Sequence, residues 1–331
     1  MSNYAIIEKL KSSNSVCLIG HSTPDADALC SMVVFKNFLK QKFNISIIDM
    51  FADFDKLAEN YTYILGDEKI NKQSTTNYDY AITLDTSNPV LLGKYTELFN
   101  MAQHKIVIDH HNTNLRYGQY NIVKYCSSTC EMVYRILCHF KHNFDVEDYG
   151  KIYAGIITDT NNLTVGNISY KTFNIVGECY KYADCQKIYK HFFCNNSLKT
   201  QKMFSTAVQN IKVFNNGKIL ISHITMDEHN ALNAEKDDYT GIVNRLAQTS
   251  NVELVCFVHP KNNKYYVSMR ATKGYNVAEI AKKHGGGGHI GAAAFETNED
   301  VETIEKIILE DFTNEIINKN LIFSKNPFKN D

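Results

Sequence analysis

The chain lacks the features that mark several protein classes. Its 331 residues include only 4 Pro and 16 Gly, so no long structureless linker is expected. Formal net charge is −1, with a pI near 6.9. That argues against a broad basic surface for long duplex nucleic acid. It leaves room for a small phosphorylated substrate held in one pocket. No apolar run approaches the roughly 18 residues of a transmembrane span, so no membrane segment is expected. The first nine residues carry charge within their apolar stretch and show no signal-peptide core. The nine cysteines include no C-x-x-C pair. Cys126 and Cys130 stand four apart and cannot by themselves build a zinc site. Together these absences predict a cytoplasmic protein with reduced, mostly buried thiols.

What is present is a globular composition, 44% hydrophobic, at a length suited to two domains. The most informative stretch is Ile106-Val107-Ile108-Asp109-His110-His111. β-branched apolar residues predict a buried strand. The strand ends in three metal-capable side chains, which are costly in a core without partners. In open α/β sheets, ligands sit beyond the carboxyl ends of strands. Alone, such a tripeptide is often just a polar turn.

Other strand ends repeat the pattern. Residues 15–20 read as a buried strand ending in His21-Ser-Thr-Pro-Asp25-Ala-Asp27. A helix over 29–39 follows, with Pro24 suited to its start and both acids suited to its dipole. Further strands are expected at 45–48 and 80–84, the latter ending in Asp85, with a helix around 56–63 between them. Ser127-Ser128-Thr129-x-Glu131 reads as a helix start whose hydroxyls cap it or, as the second choice, bind phosphate, and that helix runs through 133–140. A helix over 149–157 ends at Thr158-Asp159-Thr160, where Asp159 breaks an apolar run. A buried lone carboxylate needs a cation or several donors. Helices are also expected over 6–10, 173–182 and 185–193.

His21, Asp25, Asp27, Asp85, His110 and Asp159 gather too much negative charge to sit together without cations. Two divalent ions about 3.5–4 Å apart would satisfy it, with one carboxylate shared. Mixed oxygen and imidazole ligands favour Mn²⁺, with Mg²⁺, Fe²⁺ or Co²⁺ as alternatives, and argue against structural zinc.

In this order the motifs H-x-x-x-D-x-D, Asp85 after a strand, D-H-H and T-D-T resemble those of the DHH phosphoesterase superfamily. The resemblance implies that His21, Asp25 and Asp85 hold one ion. It implies that Asp27, Asp85, His110 and Asp159 hold the other, with Asp85 bridging. Asp109 would orient its neighbours, and His111 would face the substrate phosphate.

The second half changes character. A linker is expected over 195–202, dividing a catalytic domain (1–194) from a substrate-binding domain (203–331). Expected elements are helices at 203–214, 239–248, 276–283 and 301–312, and strands at 218–224, 252–258 and 264–270. Asn262-Asn263 would close a hairpin. Four glycines, Gly285 to Gly288, precede His289. They lack the Lys-Ser/Thr of a P-loop and read as backbone amides open to an anion. Arg270 reads as a phosphate clamp. Ser268-Met-Arg270 and G-G-G-G-H-x-x-A-A resemble the DHHA1 domain. Gly241-Ile-Val-Asn244 resembles a stretch of the nanoRNase/pAp-phosphatase group. Ala294 departs from the family, which has Gly there.

The expected fold is α/β: a doubly wound, mostly parallel N-terminal sheet, then a smaller α+β domain with a mixed sheet. The active site is expected in the interdomain cleft. The resemblance implies two-metal hydrolysis of short single-stranded RNA, pApA-type dinucleotides or 3′-phosphoadenosine 5′-phosphate. His111, Arg270 and His289 would act at the phosphate, with Gly286, Gly287 and Gly288 binding it. Members of the family it resembles often form dimers, so the resemblance allows a homodimer. The rival activities are hydrolysis of cyclic di-AMP, or of polyphosphate or pyrophosphate. The rival of another class is a non-catalytic nucleotide-binding module.

Overall fold

The computed structural model describes residues 3–54, 59–74, 77–272 and 274–325. The chain divides into two compact units, Met1–Asn195 and Asn196–Asp331. In the first, five parallel strands stand in the order β2-β1-β3-β4-β5. They are β1 (Ser15–Ile19), β2 (Ile47–Phe51), β3 (Tyr80–Leu84), β4 (His104–Asp109) and β5 (Tyr120–Val123). The helices are α1 (Asn3–Glu8), α2 (Ala26–Phe43), α3 (Glu59–Leu65), α4 (Thr96–Met101), α5 (Thr129–His139), α6 (Val146–Asp159), α7 (Tyr170–Tyr182) and α8 (Cys185–Phe193).

Both faces of this sheet are buried, which is why its central strands read as continuous apolar runs. Val16, Leu18, Ile82, Ile106 and Ile108 pack with α2, α5 and α6. Their neighbours Cys17, Ile19, Ala81 and Val107 point the other way, onto Leu92, Tyr95 and Phe99. The second strand lies at 47–51 rather than 45–48. Asp49 breaks its apolar pattern, because this edge strand uses that carboxylate to accept from Asn71 Nδ2 at 2.8 Å and Tyr78 Oη at 2.6 Å. Of the helix expected at 56–63, residues 56–58 lie outside the described set, and α3 covers the rest.

The second unit is a mixed sheet in the order β10-β11-β9-β8-β7-β6. Its elements are α9 (Leu198–Gln209), β6 (Lys212–Phe214), β7 (Ile219–His223), α10 (Met226–Ala231), α11 (Ile242–Leu246), β8 (Leu254–Lys261), β9 (Lys264–Ala271), α12 (Val277–Lys283), β10 (Gly287–His289), β11 (Ala292–Thr297) and α13 (Val301–Lys325). Only β7 and β8 pair in parallel. Among the described residues, no helix is long and apolar enough to cross a membrane.

Three expectations in this unit need correction. The stretch 195–202 is not all linker: Ser197 caps α9 by accepting from Thr200 N at 3.0 Å, so the helix starts at Leu198. That helix ends at Gln209, and 212–214 form a strand instead. The helix expected at 239–248 shrinks to Ile242–Leu246, because Gly241 takes a left-handed φ of 80° and restarts the chain.

The four glycines also differ from expectation. Gly285 (φ 77°) ends α12 in a Schellman turn, with Gly286 N donating to Ala281 O and Gly285 N to Lys282 O. A Cβ on Gly286 would sit 2.5 Å from Phe295 Cβ, and one on Gly288 2.5 Å from Ala293 Cα. Gly287 pairs with Ala294, and a Cβ there would meet open space. The run is therefore first a steric requirement of the β10–β11 contact. Gly286→Ala is expected to destabilise the protein by about 1–3 kcal/mol through overpacking, whereas Gly287→Ala stays within about 0.5 kcal/mol of wild type. Urea denaturation of the two variants checks this.

Candidate metal centre

The strand order reverses between β1 and β3, and such a reversal opens a crevice at the carboxyl edge of an α/β sheet. The polar residues collect there. His21, Asp25 and Asp27 follow β1, Asp85 follows β3, Asp109 ends β4 with His110 and His111 behind it, and Asp159 ends α6. Three sets bring ligand atoms within 4.8 Å of one another: His21, Asp25 and Asp85; Asp27, His110 and Asp159; and Asp85, His110 and His111.

Asp85 stands at the centre. It is 3% exposed and holds a left-handed φ of 58°, a strained state for a non-glycine residue. Its Oδ1 lies 3.5 Å from His110 Nε2 and 3.7 Å from His111 Nδ1, and its Oδ2 lies 3.9 Å from His21 Nε2. Asp25 caps α2 by accepting from Ala28 N at 3.0 Å. Asp27 is fully buried and accepts from Thr129 N at 2.6 Å and Cys130 N at 2.9 Å, the first amides of α5. Gly155 lets α6 approach this corner, since a Cβ there would lie 2.8 Å from Asp27 Oδ1. Asp109, fully buried, accepts from His111 Nδ1 at 2.8 Å and Asn114 Nδ2 at 2.6 Å.

The decisive atom is His110 Nε2. His110 Nδ1 donates to the Cys126 carbonyl at 3.1 Å, which leaves a lone pair on Nε2. That buried nitrogen has no hydrogen-bond partner, yet it faces Asp85 Oδ1 and Asp159 Oδ2 at 3.5 and 3.4 Å. A lone pair aimed at two carboxylates is repulsive unless a proton or a metal cation sits between them. His21 is fixed in the same way: Nδ1 donates to Ser22 O at 2.9 Å, and Nε2 faces the Asp25 and Asp85 carboxylates. A second hydrogen bond that fixes the ring in this way is the habit of metal-bound histidine.

Titration points the same way. Burial, then the charges of Asp85, Asp159 and Asp25, push the Asp27 carboxyl well above its usual range. Burial and the Asp25 charge raise Asp85 to about 7. Burial would lower the His21 imidazole, but the Asp25 hydrogen bond and charge outweigh it and raise it to about 9. The Asp109 hydrogen bond lifts His111 to about 9 against burial. Acids and imidazoles both rise, so the cluster draws positive charge. The residues fit hard divalent cations with oxygen and imidazole ligands.

Comparison with known proteins decides the family. The DHH family N-terminal domain matches residues 15–159, and the DHHA1 domain matches 216–318. The chain belongs to the DHH family. It is accordingly a metal-dependent phosphoesterase. It is 25% identical to the probable bifunctional oligoribonuclease and PAP phosphatase NrnA of Streptococcus mutans, covering 86% of this chain and 90% of that protein. The NrnA of Thermus thermophilus is also 25% identical, over 82% and 81% of the two chains. The cyclic-di-AMP phosphodiesterase PdeA of Listeria monocytogenes is 25% identical over 88% of this chain, which spans 46% of that longer protein. The fold matches an exopolyphosphatase-related protein of Bacteroides fragilis with a TM-score of 0.85 at 20% identity, covering 96% and 97% of the two chains.

Within the DHHA1 domain, Arg270 pairs with Ala292, and Ala292 with His289. Directly opposed residues share a face, so Arg270 and His289 flank a small alanine in one row. Arg270 Nε donates to Asn244 Oδ1 at 2.8 Å, and Nη1 to Met269 O at 2.9 Å. That explains Asn244 in the Gly241-Ile-Val-Asn244 stretch: it fixes the guanidinium plane. His289 is exposed.

Three supporting residues escaped the sequence reading. Thr129 donates to Asp85 Oδ1 at 2.9 Å, Asn114 holds Asp109, and the Cys126 carbonyl orients His110. The Ser-Thr cluster at 127–129 was the available signal, and capping by Ser128, which accepts from Glu131 N, accounts for only part of it. His110→Ala is expected to cut the rise in melting temperature that Mn²⁺ gives the wild type, each bound ion being worth about 2.7 kcal/mol at a hundredfold excess over its Kd. His111→Ala keeps most of that rise, because its Nδ1 is committed to Asp109. Differential scanning fluorimetry with and without Mn²⁺ checks the pair, and equal losses would contradict the division of roles.

Proposed function

We propose that this protein is a two-metal phosphoesterase. It hydrolyses very short oligoribonucleotides, pApA-type dinucleotides and 3′-phosphoadenosine 5′-phosphate to mononucleotides. The observation that carries the metal part is the partnerless His110 Nε2 between two carboxylates. The substrate part is supported by the NrnA relatives from S. mutans and T. thermophilus, which align over most of both chains.

In this reading His21, Asp25 and Asp85 hold one ion, and Asp27, Asp85, His110 and Asp159 hold the other. Asp85 bridges, one oxygen facing His21 and the other facing His110. Mn²⁺ is the proposed ion, with Mg²⁺ or Co²⁺ as substitutes. Bound divalent ions supply a hydroxide nucleophile near neutral pH and charge neutralisation at phosphorus. The protein's own groups do the rest. Asp109 and Asn114 hold His111 so that its Nε2 presents an N–H to a phosphate oxygen. Asn244 and the Met269 carbonyl commit Nε and Nη1 of Arg270, which leaves the Nη2 end of the fork for an anion. Gly287 and His289, exposed on β10, offer further contacts to that anion, with Gly286 and Gly288 shaping the strand. Preorganised donors of this kind stabilise charge as it develops. A cytoplasmic setting and a homodimer complete the proposal; nine free thiols, most of them buried, suit a reducing compartment.

One second reading has an observation of its own. The likeness to PdeA supports cyclic di-AMP as an alternative substrate. Purified protein with Mn²⁺ is assayed side by side on pApA, longer oligoribonucleotides, 3′-phosphoadenosine 5′-phosphate, cyclic di-AMP and pyrophosphate. The expected result is turnover of pApA and 3′-phosphoadenosine 5′-phosphate at least about tenfold above the others, a difference of about 1.4 kcal/mol in the barrier. Preference for cyclic di-AMP would favour the second reading. Nucleotide binding without any cleavage would overturn the enzyme reading. Asp85→Ala is expected to abolish turnover.

A further inference from the structure

We propose that Thr129 is a positioning residue of the metal centre, acting through Asp85. The proposal rests on the phosphoesterase reading only in taking this cluster as the cation site.

Asp85 must present its two oxygens to different neighbours. Oδ1 faces His110 and His111, and Oδ2 faces His21. Nothing in the β3 backbone fixes the plane of that carboxylate. Asp85 N is tied to Ile108 O at 3.0 Å, which sets the main chain but leaves the side chain to turn. Among the described residues, the only hydrogen bond its carboxylate accepts comes from Thr129 Oγ1, at 2.9 Å. That bond occupies one lone-pair direction of Oδ1 and locks the plane. The remaining lone pairs then point to the two sides of the cluster.

Thr129 sits in a rigid block. Ser128 Oγ accepts from Glu131 N at 3.1 Å. The Glu131 carboxylate is fully buried and accepts from Ser127 Oγ at 2.5 Å, Thr172 Oγ1 at 2.7 Å and the Arg135 guanidinium. The same block supplies the Cys126 carbonyl to His110 and two amides to Asp27. Thr129 therefore holds two acids by different means: Asp27 by its backbone N–H, and Asp85 by its hydroxyl. A side-chain substitution removes only the second contact.

The test uses the full chain as wild type, Thr129→Val and Thr129→Ser. Mn²⁺ affinity is read by electron paramagnetic resonance of the free ion, and melting is followed in chelator. Removing a group that orients a metal ligand typically weakens the metal about 10–100-fold, and that loss is expected for Thr129→Val. Thr129→Ser keeps the hydroxyl and is expected to stay within about threefold of wild type. A merely structural role would lower the chelator melting point without moving Mn²⁺ affinity, and that result overturns the proposal. So does a serine variant whose Mn²⁺ affinity falls about tenfold or more below wild type, a comparison that stands even where the valine variant fails to fold. If Mn²⁺ affinity follows the hydroxyl but no protein cleaves pApA, the positioning role holds and the substrate reading falls.

Discussion

Repulsion between like charges is the constraint on which the rest of this structure depends. Asp27, Asp85 and Asp159 converge at one sheet edge, with Asp27 and Asp85 almost wholly buried, and Asp25 adds its charge beside them. Bringing such groups out of water together is expensive unless cations or donors offset it. The chain answers with both. Amides from the start of α5 meet Asp27, and hydrogen bonds from Asn114 and His111 meet Asp109. What stays unanswered is the space between His110 Nε2 and its two carboxylates, and there the proposed ions belong.

The scaffold is built to hold that conflict in place. A parallel sheet buried on both faces gives strand ends that cannot drift, because β1 and β3 each lock into neighbours on either side. The strand order reverses where the acids emerge, so the chain leads away from β1 and from β3 in opposite directions along the sheet. Asp85 carries the strain of a left-handed backbone at this point. Sites on rigid elements keep tighter geometry than sites on loops. A bridging carboxylate needs that tightness, since it has to serve two sides at once.

Much of this was legible in the sequence, because the signals were local. Buried strands of five or six residues ended in acids or imidazoles, and β3 at 80–84 and α8 at 185–193 appear with the bounds their patterns gave. Misplacements occurred where tertiary contacts override local pattern. The second strand was shifted because Asp49 serves Asn71 and Tyr78 from a half-exposed edge. The helix at 239–248 was overextended because Gly241 acts through its backbone angle, which composition does not reveal. The glycine run suggested anion binding, whereas Gly286 and Gly288 answer first to the close approach of β11. Thr129 and Asn244 were the hardest to see. Each reaches a group far along the chain, Asp85 and Arg270 respectively, and only the fold brings them together.

In the proposed function, a pair of divalent ions reconciles the buried like charges at the sheet's switch point. Equilibrium dialysis of the metal-free protein against Mn²⁺, with bound metal counted by atomic spectroscopy, tests it most directly. Saturation at two ions per chain is expected, each set by its own carboxylate and imidazole group and both dependent on Asp85. Saturation at one ion, or binding that survives intact in Asp85→Ala, would contradict it.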